Sequence, residues 1–324
     1  MRAILRSEDG GPEVLTLGEA PRPTPSDGEV LVRVSAAGLN RADLNQREGH
    51  YPPPAGASEI LGMEVSGLIE EVGPSVTGWK VGDEVCALLP GGGYAEFATV
   101  DAGLVLPKPN TVDLVDAAGL PEVAATVWSN VFLNAQLQPG ETLLVHGGTS
   151  GIGTMAIQIA RALGSPVVAT AGSPEKVAFC ESLGAVGVDY KEQDFVSVVR
   201  EVTGGRGADV VLDLVGGDYL ARNVEALATN GRIMVIANQS GGESTFALGK
   251  LMAKRGRIWG TTLRARPLPE KIEIVGGVRE HVWPLIESGL VHPVIDRVYR
   301  LDEAGDAHRR MESSGHIGKL LLAL

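Results

Sequence analysis

Residues 143–164, LLVHGGTSGIGTMAIQIARALG, run directly from an apolar strand through a glycine turn into an amphipathic helix, and no other stretch limits the fold as much. Ile152, Met155, Ala156, Ile159, Ala160 and Leu163 recur at offsets 0, 3, 4, 7, 8 and 11, which is one face of an α-helix, and Gly164 is a good C-terminal stop. Glycines let the backbone turn tightly and approach a pyrophosphate, while the helix N-terminus offers unpaired N–H donors and a positive dipole end. The ligand expected there is an anion, and Gly148, Thr149, Ser150, Gly151, Ile152 and Gly153 are the residues expected to bind it. The spacing Gly148-x-x-Gly151-x-Gly153 is not the standard G-x-G-x-x-G, so a bare glycine turn is the alternative; the flanking strand and helix favour a dinucleotide loop. Thr154 stands where a P-loop needs its lysine, and Ser150 lacks the glycine pattern of a nucleophile elbow.

The chain has two hydrophobic periods. Up to about residue 120 it reads as short strands broken by Gly and Pro: EVLVRVSAAG, MEVSGLIEEVG, VGDEVCALL, YAEFATV and GLVLPKP. A small twisted barrel or sandwich is expected. Beyond it, the apolar strands TLLVHG, PVVATAG, ADVVLDLVG and GRIMVIA alternate with helical segments, which builds βαβ units on a parallel sheet covered on both faces. A helical stretch at about 268–288, VIDRVYRL, a short helix and KLLLAL then read as a return to the β-rich part. Glycine, 43 of 324 residues, is close to twice its usual share of about 7% and implies many tight backbone positions.

The cofactor type should be set at the end of the second parallel strand, where an NAD site places Asp or Glu to accept from the ribose 2′-hydroxyl. Here the strand ends Ala171-Gly172-Ser173, with no carboxylate to repel a 2′-phosphate. Ser173 and Pro174 suit the N-cap and N1 of the next helix, whose N–H groups and Lys176 can receive that phosphate, and NADPH is favoured over NADH. The alternative leaves Ser173 as a plain cap and Lys176 as a solvated charge. Tyr190, in VDYKEQDF, either reaches the same phosphate or packs.

Twenty-eight basic and 40 acidic residues give a net charge of −12, which repels phosphate backbones, so nucleic acid is not expected as a partner. Cys86 and Cys180 are far apart and form no CxxC, which fits a reducing compartment, and the cytoplasm is the expected address. MRAILRSEDGG turns acidic and Gly-rich too soon for a signal peptide, and no apolar run reaches the roughly 18 residues a membrane helix needs.

GEVLVRVSAAGLNRADLNQREGHYPPP, LGMEVSGLIEEVG, VGDEVCALLPGGGYAEF, VHGGTSGIGTMAIQIA and the closing HIGKLLL together resemble the zinc-independent quinone oxidoreductase branch of the medium-chain dehydrogenase/reductase superfamily. The resemblance implies an α/β chain in which a doubly wound Rossmann domain, residues 122–265, is inserted into a GroES-like β-rich catalytic domain made of residues 1–121 and 266–324, with the active site in the cleft. Where the zinc enzymes of the superfamily carry a catalytic Cys this chain has Asn40, and their G-H-E motif reads Gly62-Met63-Glu64. Asn and Met do not replace a thiolate and an imidazole, so no metal is expected. No pair among His50, His146, His281, His292, His308 and His316 has metal spacing; each reads as a surface or packing residue.

By the same resemblance Asn40 faces the nicotinamide, and Tyr51 donates its phenol proton to the acceptor oxygen; a packing cap beside Pro52–Pro54 is the alternative for Tyr51. Asp43 joins them as a catalytic candidate, although Asp43 and Arg47, one helical turn apart, also suit an ion pair that merely orders the turn. Thr126 matches a position that meets the nicotinamide amide, with a helix-face Thr bonding back to the helix carbonyls as the alternative; Lys319 matches a lysine near the cofactor, and Leu263 closes the last Rossmann strand among the cofactor contacts. Gly216 and Gly217 end the fourth strand and Asn238 follows the fifth, both at carboxyl ends of parallel strands, where ligands of open α/β sheets sit.

Hydride transfer from NADPH to a quinone needs little Lewis acid, because the acceptor is already electron-poor and leaves a delocalised phenolate. Reduction of an alkenal or enone C=C bond is the nearest alternative. A nucleotide-binding protein of low turnover, structural or RNA-binding, is the alternative of another class; the charge of −12 counts against RNA. RIWGTTL, residues 257–263, should leave an apolar sheet edge that pairs with a second copy, so a homodimer is expected, with a covered edge in a monomer as the alternative.

Overall fold

The computed structural model describes all 324 residues, Met1 to Leu324. They divide into two compact units: residues 1–125 with 263–324, and residues 126–262. The divisions at 125/126 and 262/263 compare with the 121/122 and 265/266 expected from the sequence. The first falls inside the Pro121–Val127 helix, where no change of hydrophobic period marks it.

Residues 126–262 hold a six-stranded parallel sheet in the order Val186–Asp189, Val167–Ala171, Leu143–Val145, Ala208–Asp213, Leu227–Val235, Arg257–Gly260. In chain order this is 3-2-1-4-5-6, the doubly wound arrangement whose order reverses beside the first strand and its loop. The central strands are fully buried, as strands covered on both faces must be: every residue of Leu143–Val145, Val167–Ala171 and Ala208–Asp213 is buried. Leu144, Val168, Val211 and Ile233 form one core with Phe195, Val199 and Val224 from the covering helices. Arg257–Gly260 is an edge strand, and Trp259 on it is 48% exposed.

The other unit is built on a seven-stranded sheet ordered Ile295–Arg300, Lys319–Ala323, Glu29–Gly38, Glu64–Val72, Glu84–Leu88, Val105–Pro107, with Phe97–Asp101 also pairing to Glu29–Gly38. The closing strand Lys319–Ala323 pairs antiparallel to Glu29–Gly38, so residues from both ends of the chain share one sheet. That pairing brings Lys319 next to Leu39 and Asn40, which immediately follow Glu29–Gly38.

Candidate active site

Three of the expected site residues meet in the β-rich unit. Asn40 caps the Arg41–Arg47 helix in a capping box in which Asp43, at N3, turns back to accept from the Asn40 N–H at 2.8 Å. Asn40 Nδ2 donates to Glu64 Oε1 at 2.9 Å, and its Oδ1 accepts from Lys319 Nζ at 2.7 Å. Lys319 Nζ also donates to the Leu39 carbonyl at 2.6 Å and lies 2.6 Å from Glu64 Oε1. Glu64 is fully buried, and its other oxygen accepts from the Glu122 N–H at 2.9 Å. The Asn40 amide therefore has a fixed orientation: the lysine can only donate, so it marks the carbonyl end.

Asp43 is buried and accepts as well from the Gly62 N–H at 3.1 Å and from the Tyr94 hydroxyl at 3.3 Å. Burial pushes its carboxyl up to about 6, against the pull of those backbone donors and of Lys319 and Arg264. The expected Asp43–Arg47 ion pair does not form. The capping box turns Asp43 toward the helix N-terminus, while Arg47 reaches the Gly10 carbonyl at 2.9 Å and the carboxylates of Glu48 and Glu312 at 2.6 Å each. Arg47 Nη1 also meets His308 Nδ1 at 3.3 Å, and His308 Nε2 meets the Tyr94 hydroxyl at 3.3 Å. The donors then run one way, Arg47 to His308 to Tyr94 to Asp43. Burial, with Arg47 beside it, lowers His308 to about 3 and keeps its ring neutral.

Tyr51 is half-buried. Burial raises its phenol pKa, with Arg264 pulling it down, and the Arg264 guanidinium lies 5.5 Å from the ring centroid. Arg264 itself is buried, and Leu263 beside it lines the same small recess. Arg264 and Tyr94 escaped the sequence reading, which gave Glu64 no role beyond its motif and His308 only a surface or packing one. Glu64 was visible as the last residue of the Gly62-Met63-Glu64 motif; the others carry no local signal.

In the second unit Ser150 caps the Gly151–Ala162 helix, its Oγ accepting from the Gly153 N–H at 2.9 Å. The N–H groups of Gly151 and Ile152, at N1 and N2, have no partner within the helix. A Cβ on Gly153 would lie 2.3 Å from the Gly147 carbonyl oxygen, and one on Gly148 would lie 2.8 Å from the Ala169 Cβ, so the loop is as close to sheet and helix as backbone allows. Thr149, in the same loop, is buried. A cradle this tight, opening on free helix N–H groups, fits the pyrophosphate of a pyridine nucleotide.

At the end of Val167–Ala171, Ser173 caps the Pro174–Ser182 helix by accepting from the Lys176 N–H at 3.4 Å. The Tyr190 hydroxyl stands 2.8 Å from where a Cβ on Gly172 would be, and the ring is 43% exposed. Gly216, at φ +77°, adjoins Asn238, whose Oδ1 accepts from the Gly217 N–H at 3.0 Å. Thr126 is buried, and its carbonyl accepts from Ser129 Oγ and Asn130 Nδ2.

A hydrogen-bonded chain that sequence spacing did not reveal runs beneath this loop. His146, expected only to pack, is fully buried; its Nδ1 meets Thr170 Oγ1 at 3.0 Å and its Nε2 meets Asn223 Oδ1 at 2.7 Å. Asn223 donates to Asp213, whose other oxygen accepts from Val215 and Gly216 N–H groups. Burial lowers the His146 pKa, which keeps the ring neutral and its donor toward Asn223.

Two family patterns match the chain: an alcohol dehydrogenase GroES-like domain over residues 26–110 and a zinc-binding dehydrogenase over residues 151–275. A quinone oxidoreductase of Rattus norvegicus is 35% identical over 328 residues, covering 100% of this chain and 98% of its own. A 2-haloacrylate reductase of Burkholderia sp is 31% identical, covering 99% and 98%. The crystal structure of an Escherichia coli quinone oxidoreductase complexed with NADPH superposes with a TM-score of 0.87 at 30% identity over 100% of both chains. Fold, loop and relatives together define an NAD(P)H-dependent oxidoreductase, a Rossmann domain combined with a GroES-like one. The chain belongs to the quinone oxidoreductases of the medium-chain dehydrogenase/reductase superfamily. No helix is long and apolar enough to cross a membrane, and no group of three or more His, Cys, Asp or Glu side chains is placed to hold a metal ion.

Proposed function

We propose that this protein reduces quinones with NADPH and without a metal. The observation that carries the reading is the Asn40–Lys319–Glu64 cluster: where a metal would need a thiolate and an imidazole, the chain has an amide at 40 and a thioether at 63, and a lysine ammonium sits between Asn40 and Glu64. The reduced nucleotide supplies a hydride when bound. Gly151 and Ile152 N–H groups bind its pyrophosphate, and Ser173, Lys176 and Tyr190 receive the 2′-phosphate. Asn40 presents an amide whose orientation Lys319 and Glu64 hold, so the protein reorganises little as charge moves. Tyr51 keeps its proton at neutral pH, because burial raises it, and gives it to the acceptor oxygen.

Reduction of an activated alkene is the second reading, favoured by the 2-haloacrylate reductase among the relatives. We place the protein in a reducing compartment such as the cytoplasm, in keeping with the two buried unpaired cysteines, and as a dimer through the Arg257–Gly260 edge, where Trp259 is exposed.

The test compares NADPH consumption with 1,2-naphthoquinone and with a simple 2-enal, alongside titration with NADPH and NADH. Quinone-dependent consumption and tighter binding of NADPH, lost by about tenfold in Lys176→Ala while NADH binding stays, are expected. Equal affinity for both nucleotides removes the cofactor assignment. If no acceptor consumes NADPH while RNA shifts at physiological salt, the reductase reading fails.

A further inference from the structure

Chemistry fixes the direction of every hydrogen bond in the chain beneath the glycine loop. Asp213 takes three N–H donors, from Val215 at 2.8 Å and Gly216 at 3.0 Å on one oxygen and from Asn223 Nδ2 at 2.9 Å on the other. A carboxylate only accepts, so Asn223 turns its amide oxygen to His146, and the ring proton must sit on Nε2 to reach it. In the neutral ring Nδ1 is then an acceptor, and the Thr170 hydroxyl donates to it at 3.0 Å. The Thr170 oxygen in turn accepts from the Gly147 N–H, 3.3 Å away. Thr170, His146, Asn223 and Asp213 are all buried, and Phe195 and Tyr219 pack edge-on to the imidazole with centroids 4.8 Å away, so a partner lost from the chain is not replaced from solvent.

The chain ends on two loops. Gly147, at φ +65°, opens the glycine loop, and Thr170 holds its first two N–H groups, Gly147 through the hydroxyl and Gly148 through the carbonyl at 2.8 Å. Glycine peptides turn over at little steric cost, so these two bonds decide which way the loop's first peptides face. The Gly147 carbonyl then accepts from the Ser150 N–H at 2.9 Å, and Ser150 caps the helix whose first N–H groups stay open. At the other end Asp213 holds Gly216, at φ +77°, where the fourth strand gives way to its loop. The first and fourth strands, Leu143–Val145 and Ala208–Asp213, are neighbours, and the strand order reverses between them, which is where a doubly wound sheet opens its ligand crevice.

We propose that His146 is a positioning residue for the nucleotide: through Thr170 on one side, and through Asn223 and Asp213 on the other, its Nε2–H tautomer ties the glycine loop to the Gly216 loop across the point where the strand order reverses. The proposal rests on the reading that the glycine loop binds the pyrophosphate. Hydroxyl, imidazole and acid in that order also make up a nucleophilic triad, but here an amide stands between ring and acid, and the Thr170 oxygen is buried and taken by the Gly147 N–H. The set therefore positions and does not attack. With the chain cut, the two loops relax apart from one another and the nucleotide must reorder them on binding, which lowers affinity. A purely structural role would lower the melting temperature and leave the affinity of the folded protein as it is.

The test is NADPH titration of the full-length protein by nucleotide fluorescence, at a temperature below every variant's melting range. Thr170→Val has nearly the same shape, keeps the carbonyl bond to Gly148 and removes only the hydroxyl; it should weaken NADPH about tenfold, the ordinary worth of one buried hydrogen bond. Thr170→Ser keeps the hydroxyl and should stay within about threefold of wild type. Asn223 bonds to neither loop, yet Asn223→Leu should weaken NADPH by a similar factor, and the double variant Thr170→Val/Asn223→Leu hardly further, because either cut severs one chain. Nuclear magnetic resonance of the histidine ring nitrogens in wild type, with His146 identified by its loss in His146→Gln, should find the proton on Nε2. NADPH binding to Thr170→Val as to wild type, a loss in Thr170→Ser as large as in Thr170→Val, single losses that multiply in the double variant, or a His146 proton on Nδ1 overturns the proposal. Gly153→Ala separates the two readings. If it weakens NADPH while Thr170→Val does not, the positioning role alone fails; if it leaves NADPH binding unchanged, the pyrophosphate reading fails and the positioning role falls with it.

Discussion

Removing Lys319 should expose how much of the β-rich unit depends on one buried ion pair. Its Nζ lies 2.6 Å from Glu64 Oε1, and the two side chains are 5% and 0% exposed. At an effective dielectric of about 20 that separation corresponds to an attraction of about 6 kcal/mol, most of it offset by the cost of taking both charges out of water. Breaking such a pair from one side typically costs about 3–5 kcal/mol, because a buried charge is left behind. In Lys319→Met, Glu64 keeps the Asn40 amide and the Glu122 N–H, which favours the lower end, about 3 kcal/mol. In Glu64→Gln, Lys319 keeps the Leu39 and Asn40 oxygens, so a similar loss is expected. The double variant leaves no buried charge and should lose less than the two singles together, by about 3 kcal/mol. Urea unfolding of all four proteins, followed by far-UV circular dichroism and by tryptophan fluorescence, gives the cycle. Trp79 and Trp283 report on this unit, and Trp128 and Trp259 on the other. Losses that add within about 0.5 kcal/mol would mean that the two groups do not sense one another, and the geometry offered here would be wrong.

Two further outcomes are expected. Gly153→Ala forces a methyl to within 2.3 Å of the Gly147 carbonyl oxygen, so the loop must shift; NADPH affinity, read by nucleotide fluorescence, should fall at least tenfold, and an unchanged value would refute the cradle. Asp43 titrates near 6 in the fold against an ordinary 3.8, so the folded state holds its proton more tightly than the unfolded one; the stability this contributes is present below pH 4 and lost as pH rises through 6, by at most about 3 kcal/mol. The stability difference between wild type and Asp43→Asn should therefore shift against wild type from pH 4 to 7, and a flat difference in urea midpoints would show that burial does not control this carboxyl.

What the linear sequence determined by itself was everything governed by neighbours a few residues apart. The strand and helix of residues 143–164, the Ser173 cap, the missing carboxylate after Ala171 and the edge strand at Arg257–Gly260 all follow from local period, capping chemistry and turn residues. The same local logic failed at Asp43 and Arg47: helical spacing allows them to pair, but a capping box turns one back and Glu312, 265 residues away, draws off the other. Only the tertiary structure could bring Lys319 to Asn40 and Glu64, or bury His146 between Thr170 and Asn223. It also decided that Arg264 would keep its backbone bond to Pro90 and have no anion for the rest of its donors. The reason is physical. Helix and strand propensities act over a turn or two, whereas the cost of a buried charge depends on which distant groups the folded sheet places around it, and spacing along the chain carries no record of that.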